Sequence, residues 1–459
     1  MSGFLIGIVI GAVIIYCGIL YVRKVEKRSF LSYLMERLLF LFVKPLIYSK
    51  DNPEKFEQEL NKLAKGNDVP ITNPKKYIKV DVQEKDVDGM QVFVWNDNKD
   101  ANQKVILFLH GGAYVLQPSM MHFNMVHKIA QAIDAKVVFP IYPKAPKHQY
   151  RETYEKLEKV YRGLLEEHTN PNSIIVMGDS AGGGLSLGFA IYLKELSLPQ
   201  PKEIVLFSPW VDIATDNPEI ASYEPFDPIL KQSGIHEVAK FWAGEDLKQP
   251  LVSPLFGDLS GLGRISIYIG THDILYPDNR LLHEKLLKEG IEHRYIEREK
   301  MNHVYVGLPI KEARKDIQEL ISFFDSTRDI QVMFIYERLK SSLDKMLNAS
   351  SNKENLKNQF NRMVETPNGL YALIDYVNFK GEGLKGVSSY NNVAWGLRQV
   401  LENMKGTATG QSALVEFSNS AKDILARRVK NAPRNESRWL QGWYNRVDTY
   451  KTFEIGSAY

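Results

Sequence analysis

The 459-residue sequence has very little cysteine: Cys17 is the only one. A single thiol excludes an intramolecular disulfide and a zinc site built from several cysteines. The sequence also lacks a large excess of either charge, because 58 Lys and Arg residues against 55 Asp and Glu residues leave a net charge of only +3. No overall basic field therefore points to nucleic acid as a partner. A hydrophobic content of 44% without biased tracts is that of a folded globular protein.

The N-terminus carries a long uncharged run, FLIGIVIGAVIIYCGILYV, from Phe4 to Val22. At about 1.5 Å per residue, a helix of this length nearly spans a hydrocarbon core of about 30 Å. A cleaved signal peptide would place positive charge before a shorter apolar region. Here the positive charges follow the run, at Arg23, Lys24, Lys27 and Arg28. We therefore predict an uncleaved single-pass anchor over residues 1–23, with the rest of the chain on the cytoplasmic side.

A second apolar stretch, from Leu31 to Tyr48, is interrupted by Glu36, Arg37 and Lys44 and is therefore a poor membrane-spanning helix. Its pattern suits an amphipathic helix that lies in the membrane interface or that covers the mouth of an active site, and one helix could do both. On this basis we assign residues 24–76 to amphipathic or cap helices.

Residues 77–326 show an alternation of short apolar runs and helical periodicity that predicts a parallel α/β sheet. The runs are hydrophobic almost throughout, which is typical of strands covered on both faces. The predicted strands are residues 105–110, 136–142, 173–178, 203–208 and 265–270, and the predicted helices are residues 121–133, 150–167, 183–195, 279–289 and 310–324. Residues 215–249 break this rhythm and are predicted to form an insertion that lies over the sheet.

The segment Gly178-Asp179-Ser180-Ala181-Gly182 fits the pattern G-x-S-x-G and directly follows a predicted strand. In that context the pattern predicts a tight strand-to-helix turn that holds the serine hydroxyl outwards, with glycines at both ends so that strand and helix can approach. The helix N-terminus behind the turn favours developing negative charge. Ser180 is therefore the candidate nucleophile, and Gly178, Asp179 and Gly182 are supporting residues of the turn.

A second glycine motif, His110-Gly111-Gly112-Ala113, stands at the end of an earlier predicted strand. Glycine at these positions leaves room for an ester carbonyl, and backbone N–H groups there can stabilise an oxyanion. We expect the N–H groups of Gly111, Gly112 and Ala181 to form an oxyanion hole. His110 is a supporting residue of this motif.

Two residues near later strand ends complete the predicted site. The order along the chain for this turn motif is serine, then acid, then histidine. Asp273 follows the strand at 265–270, and His303 lies in a loop before the last predicted helix. His303 is the candidate general base, and Asp273 is the carboxylate that orients it, with Asp278 as a rival acid. The other histidines, including His122, are interpreted as surface or packing residues, and we predict no metal site.

The sequence resembles the hormone-sensitive-lipase-like, acetyl-esterase-like group of α/β-hydrolases over about residues 77–325. The similarity rests on segments that occur in the same order in that family: HGGAY, YPKAP, GDSAGGG, SPWVD, SPLFGDLSGL, GTHDILYPDN and NHVY. It implies an α/β-hydrolase fold, an acyl-serine mechanism without a cofactor, and an acyl pocket beneath a cap made of the N-terminal helices and residues 215–249. One departure is Ala113, where many members have a third glycine. We expect activity to survive it, because the first two residues of the motif supply the expected donors.

Residues 327–459 form a further region that is predicted to be mostly helical. It resembles a domain of secreted bacterial proteins through segments such as YALIDYVNFKGEGL and RVKNAPRNESRWLQGWYNRVDTYK. Two roles stay open: contact with cell-wall glycan through aromatic faces, or a structural docking module in which the same aromatic residues form the core, namely Trp395, Trp439 and Trp443. A secreted domain belongs outside the cytoplasm, whereas the basic residues after the anchor favour the inside.

These patterns and the resemblance together lead us to expect a membrane-anchored serine carboxylesterase that hydrolyses short- to medium-chain acyl esters. Its partners would be a small or lipid-like ester and a membrane contacted through residues 4–22, and not nucleic acid. Two alternatives stay open. One is an amidase or deacetylase that acts on cell-envelope glycan, because the family also contains amide hydrolases. The other is a binding protein on an inactive hydrolase fold.

Overall fold

The computed structural model describes residues 16, 18–43, 53–67, 69–100, 102–167 and 170–324. Most of the predicted anchor, residues 1–23, and all of residues 327–459 lie outside this part of the chain, so the predictions made for them stay predictions. Within the described ranges, no helix is both long enough and apolar enough to cross a membrane.

A sheet in the order β1-β2-β4-β3-β5-β6-β7-β8 forms the centre of the described chain. Its strands are β1 Gln83–Val87, β2 Met90–Trp95, β3 Val105–Leu109, β4 Lys136–Pro140, β5 Ile174–Asp179, β6 Glu203–Phe207, β7 Arg264–His272 and β8 His293–Asn302. Strand β2 pairs antiparallel with both β1 and β4, and the remaining neighbours pair in parallel. The sheet, predicted to be parallel, is therefore mixed and has an antiparallel edge. Strands β1, β2 and β8 were not predicted from the sequence.

Helices connect the strands of the sheet and precede it. They are α1 Phe30–Phe42, α2 Pro53–Asn67, α3 Met120–Ala132, α4 Tyr150–Glu166, α5 Ala181–Glu195, α6 Ile220–Tyr223, α7 Gln232–Ala243, α8 Tyr276–Lys288 and α9 Lys311–Phe323. Helix α8 begins at Tyr276, before the predicted start at 279, because Pro277 lies at a first-turn position, where a proline needs no N–H partner.

The central strands position the predicted site at one edge of the sheet. Every residue of β3, β4, β5 and β6 is buried, as expected for strands covered on both faces. His110 follows β3, Ser180 follows β5, Asp273 follows β7 and His303 follows β8. Because carboxyl ends of parallel strands meet at the same edge, the four residues converge there, as ligand-binding residues of open α/β sheets do.

The N-terminal helices and the insertion at 215–249 contact segments at this same edge. The Ser32 hydroxyl of α1 lies 3.4 Å from the sulfur of Met301, near the end of β8. At the end of α2, the side-chain amide of Asn67 donates to the Val115 carbonyl at 2.8 Å. The insertion contains α6 and α7, and the ring of Trp242, on α7, is buried. These elements lie where a cap over the strand ends would lie.

Candidate active site

Ser180 occupies a strained turn between β5 and α5. Its backbone has φ 52° and ψ −123°, in a region that side-chain-bearing residues rarely adopt. The turn is held by two backbone hydrogen bonds, because the Ser180 N–H donates to the Phe207 carbonyl at 2.8 Å and the Trp210 N–H donates to the Ser180 carbonyl at 2.9 Å. These two bonds from the segment after β6 hold Ser180 in its strained conformation, and the hydroxyl is therefore kept at the N-terminus of α5.

The glycines that flank this turn are required by close packing. A Cβ atom on Gly182 would collide with the carbonyl groups of Leu109 and His110, at the end of β3. A Cβ atom on Gly178 would collide with the carbonyl of Gly182 and would lie 2.6 Å from the Ser186 hydroxyl. Only glycine lets α5 start directly against the ends of β3 and β5.

The Ser180 hydroxyl, His303 and Asp273 form a continuous hydrogen-bonded chain. His303 Nε2 lies 2.8 Å from Ser180 Oγ, and His303 Nδ1 lies 2.8 Å from Asp273 Oδ2. The imidazole and both of its partners are buried. Asp273, and not the rival acid Asp278, is the partner of His303 Nδ1, and Asp278 Oδ1 instead accepts a hydrogen bond from Asn217 Nδ2 at 2.7 Å.

Several charges act on the His303 imidazole. Burial lowers the pKa of His303, but the negative charge and hydrogen bond of Asp273, with the charges of Asp227 and Asp179, outweigh that effect. The pKa of His303 is therefore raised above its ordinary value of 6.5. A raised pKa means that the ring takes up a proton readily, which suits a base whose charged form is stabilised by a carboxylate.

Asp227, in the insertion, is a buried carboxylate that was not predicted from the sequence to belong to the site. Its Oδ1 accepts hydrogen bonds from the N–H groups of Ile229 and Leu230, at 2.7 and 2.8 Å, and its Oδ2 accepts one from the N–H of Ile274 at 3.0 Å. Burial and the adjacent charge of Asp273 raise the pKa of Asp227 to about 6. Since Ile274 directly follows Asp273, Asp227 fastens the insertion to the loop that carries the acid.

The loop after β3 differs from the expected oxyanion hole in one donor. The N–H of Gly111 donates to Asp179 Oδ1 at 3.0 Å and is thus occupied. The expectation that Gly111 faces a substrate oxyanion is therefore wrong for this structure. Gly112, Ala113 and Tyr114 follow with φ of 120°, 52° and 61°, and successive amides in such a turn form a concave, anion-binding backbone. Within the described residues, no acceptor is paired with the N–H groups of Gly112, Ala113 or Ala181.

Two histidines and a tyrosine support this loop. His122 Nε2 lies 3.2 Å from Asp179 Oδ2, so the carboxylate that binds the Gly111 N–H is held from its other oxygen as well. The His110 ring contacts the Gly111 carbonyl through Nδ1 at 2.7 Å, and the Tyr142 hydroxyl donates to the His110 carbonyl at 2.6 Å. His122, which was interpreted from the sequence as a surface or packing residue, therefore belongs to the polar support of the site.

Aromatic stacking links the same loop to the insertion. The ring of Tyr114 stacks on Trp242 of α7 with a centroid distance of 4.3 Å and on Trp210 with a distance of 5.7 Å. All three rings are almost fully buried. The glycine loop, the serine turn and the insertion are therefore packed as one unit around the strand ends.

Comparisons with known proteins agree with this geometry. Residues 106–307 match a family model described as an alpha/beta hydrolase fold. An acetyl-hydrolase of Streptomyces hygroscopicus is 31% identical over 44% of this chain and 68% of its own length. An esterase of Acinetobacter venetianus is 30% identical over 40% of this chain and 61% of its own length. A crystal structure of a hormone-sensitive lipase from a metagenome library is 25% identical, with a TM-score of 0.55 over 64% of this chain and 97% of that one.

Proposed function

Because this chain belongs to the hormone-sensitive-lipase-like family of α/β-hydrolases and is a serine carboxylester hydrolase, we propose that Ser180, His303 and Asp273 are its catalytic triad. The observation that carries this proposal is the unbroken chain of two 2.8 Å contacts from the serine hydroxyl through the imidazole to the carboxylate. Nucleophile, base and orienting acid then have the geometry that nucleophilic catalysis by serine requires.

In the first half of the reaction, Ser180 Oγ attacks the carbonyl carbon of the ester while its proton passes to His303 Nε2. The charge of Asp273 stabilises the imidazolium that results. The tetrahedral intermediate collapses as the bond to the alcohol oxygen breaks, and His303 returns the proton to the leaving alcohol. An acyl-serine remains. Water then attacks it with His303 again as the base, which releases the carboxylic acid and restores Ser180.

The oxyanion of each tetrahedral intermediate needs backbone donors close to Ser180. We assign this role to the N–H groups of Gly112, Ala113 and Ala181, because the N–H of Gly111 is engaged by Asp179. Ala181 opens helix α5, so its amide also lies at the positive end of the helix dipole. Preorganised N–H groups of this kind contribute about 3–4 kcal/mol each to transition-state stabilisation.

The substrates we propose are short- to medium-chain acyl esters. Relatives carry the names acetyl-hydrolase and esterase, which supports an ester bond and a small acyl group. A triacylglycerol lipase of Mycobacterium tuberculosis, 30% identical over 47% of this chain, supports lipid-like esters as well. Amide hydrolysis remains the alternative reaction, and the buried triad would serve it with the same chemistry.

We also propose that residues 4–22 anchor the enzyme in a membrane with the hydrolase on the cytoplasmic side. The uncharged run and the basic residues that follow it support this arrangement. Membrane fractions should retain the full chain through a wash at alkaline pH. An externally added protease should degrade it only after the membrane is permeabilised, and degradation in intact cells would contradict the proposed orientation.

Hydrolysis of p-nitrophenyl acetate, butyrate and octanoate tests the proposed activity. The wild type and a Ser180→Ala variant should be compared at matched thermal stability, and the variant should lose several orders of magnitude in kcat. The chain-length profile then gives the size of the acyl pocket. Equal turnover by the two proteins would overturn the assignment of Ser180, and a preference for acetylated glycan or amides over all three esters would favour the alternative reaction.

A further inference from the structure

One side of helix α1 is fastened to the loops that carry the catalytic acid and base. Glu36 receives two hydrogen bonds from the Arg28 guanidinium, at 2.7 and 3.0 Å, and its Oε2 lies 2.7 Å from His272 Nδ1. His272 directly precedes Asp273. Arg28 also donates to the Lys300 carbonyl of β8 at 2.8 Å. Helix α1 is therefore fixed relative to the active site and cannot turn about its own axis without breaking buried ionic contacts.

The other side of α1 is exposed and apolar. At 3.6 residues per turn, the exposed apolar residues fall within an arc of about 100°, opposite to Ser32 and Glu36. Their side chains are between 39% and 67% exposed, and they are Leu31, Leu34, Leu38, Leu41 and Phe42. Soluble surfaces rarely carry so many large apolar side chains on one short helix. The stripe continues towards the insertion, where the half-exposed ring of Phe226 stacks on His272 at 5.3 Å.

Basic residues and the preceding sequence indicate what covers this stripe. Arg23, Lys24 and Lys27, just before α1, are exposed, as is Arg37 on α1 itself. An apolar stripe flanked by exposed cations is the pattern of a helix that lies in the interface of an anionic bilayer. The nineteen uncharged residues from Phe4 to Val22 are separated by six residues from Ser29, the N-cap of α1. A chain that leaves a bilayer at Val22 would keep α1 within reach of its surface.

We propose that α1 lies on the surface of an anionic lipid bilayer, with its stripe in the lipid and its Glu36 side against the catalytic loops. This inference rests on the proposed membrane attachment and extends it to the substrate. Because α1 is fastened at His272 and Lys300, lipid contact sets the mouth of the active site next to the bilayer. The esters that this arrangement presents are those whose acyl chains partition into the membrane.

The depth of α1 can be measured in the full chain by fluorescence quenching from the lipid. Cys17→Ser removes the native thiol, and Leu34→Cys or Leu38→Cys introduces a site for an environment-sensitive nitrobenzoxadiazole label. The matched control is Leu281→Cys on α8, a leucine that is 42% exposed. Each labelled protein is placed in nanodiscs of phosphatidylcholine and phosphatidylglycerol, with or without nitroxide-labelled lipid.

The proposal predicts that the nitroxide lipid quenches most of the emission of labels at positions 34 and 38, whereas the label at 281 keeps its emission. Discs without phosphatidylglycerol should give weaker quenching at 34 and 38. Equal quenching at 34, 38 and 281 would overturn it. A blue-shifted label at 34 that the lipid does not quench would also overturn it, because another part of the chain would then cover the stripe. Failure to co-elute with the discs would overturn the membrane attachment as well, whereas serine-dependent ester hydrolysis, measured on the same samples, would be unaffected.

Discussion

Glu36 and His272 are 236 residues apart in the sequence, yet Glu36 Oε2 lies 2.7 Å from His272 Nδ1. Burial raises the pKa of Glu36, but the hydrogen bonds from His272 and Arg28 and the charge of Arg28 outweigh it, so the pKa of Glu36 is lowered overall. The ionised carboxylate therefore joins an N-terminal helix to the residue before Asp273. Helix α1 is in this way a structural part of the active site and not only a cover for it.

Removing this carboxylate should disturb both stability and turnover. Arg28 and Glu36 have side chains that are 1% exposed, and Glu36→Ala removes the carboxylate that accepts two hydrogen bonds from this buried guanidinium, which keeps Glu26 and the Lys300 carbonyl as partners. We expect a loss of about 2–3 kcal/mol in the free energy of unfolding, measured by urea denaturation. Glu36→Gln keeps the shape and should lose less. At temperatures at which both variants are folded, their kcat should fall by a larger factor than their KM changes, because Glu36 acts through His272 and not on substrate. An unchanged kcat would contradict this positioning role.

The two candidate acids should respond differently to the same substitution. Asp273→Asn removes the charge that stabilises the His303 imidazolium, and we expect kcat to fall by about 10⁴-fold. Asp278→Asn keeps the Oδ1 that accepts from Asn217 and should leave kcat within a few-fold of wild type. Steady-state hydrolysis of a p-nitrophenyl ester checks both. A larger loss in the Asp278 variant would exchange the two assignments.

The Asp278 variant also has a thermal stability signature. Burial raises the pKa of Asp278 from 3.8 to about 7, so the folded protein holds this proton more tightly than the unfolded chain does. The stability that the group contributes is present at low pH and is lost as pH rises from about 4 to about 7. Asparagine does not titrate, so the Asp278→Asn variant does not lose this stability as the pH rises. The melting temperature of Asp278→Asn, relative to wild type, should therefore be higher at about pH 8 than at about pH 5.

The acid limb of the pH profile should report the charge of Asp227. The charges of Asp273 and Asp227 both raise the pKa of His303, so Asp227→Asn should lower that pKa. The base then stays unprotonated to lower pH, and the acid limb of kcat/KM should move in the same direction. Asp246→Asn, an exposed carboxylate of the same insertion, is the matched control and should leave the limb in place. Movement to higher pH in the Asp227 variant would contradict the account.

The glycine loop gives a prediction for the oxyanion donors. Gly112 has φ 120°, and a Cβ atom there would lie 2.8 Å from the Cβ of Leu116, so Gly112→Ala should distort the loop. Loss of one donor lowers kcat by about 10²–10³-fold. Ala113→Gly should keep kcat and should keep or raise the melting temperature, because glycine adopts the observed φ of 52° without strain. Wild-type kcat in the Gly112 variant would show that this loop does not carry the donors.

The central strands were predictable because their burial on both faces produces continuous apolar runs. Strands β3 to β7 were predicted within a few residues for this reason. Strand β1, QEKDV, is largely exposed at the sheet edge. In strand β8, HRYIEREKMN, the segment EREK carries charges of alternating sign. Neither strand therefore has a long apolar run. Edge strands are specified by their pairing partners, which a local pattern does not contain.

The same distinction applies to the site. Ser180, Asp273 and His303 each stand in a local motif at a strand end, and the motif order predicted which residues the fold brings together. Asp227 and Glu36 have no such motif, since their positions depend on how the insertion and α1 pack. Gly111 was expected to be a free donor because spacing alone does not show that the Asp179 side chain turns back to bind its N–H.

The most direct test of the account is covalent trapping of Ser180 by a fluorophosphonate, followed by intact-mass and peptide analysis. Such a reagent reacts with a serine whose hydroxyl is activated by a neighbouring base. We predict one adduct, on the peptide that contains Ser180, and its loss in both Ser180→Ala and His303→Ala. An unmodified wild type, or an adduct that persists in Ser180→Ala, would contradict the assignment of Ser180 as the nucleophile.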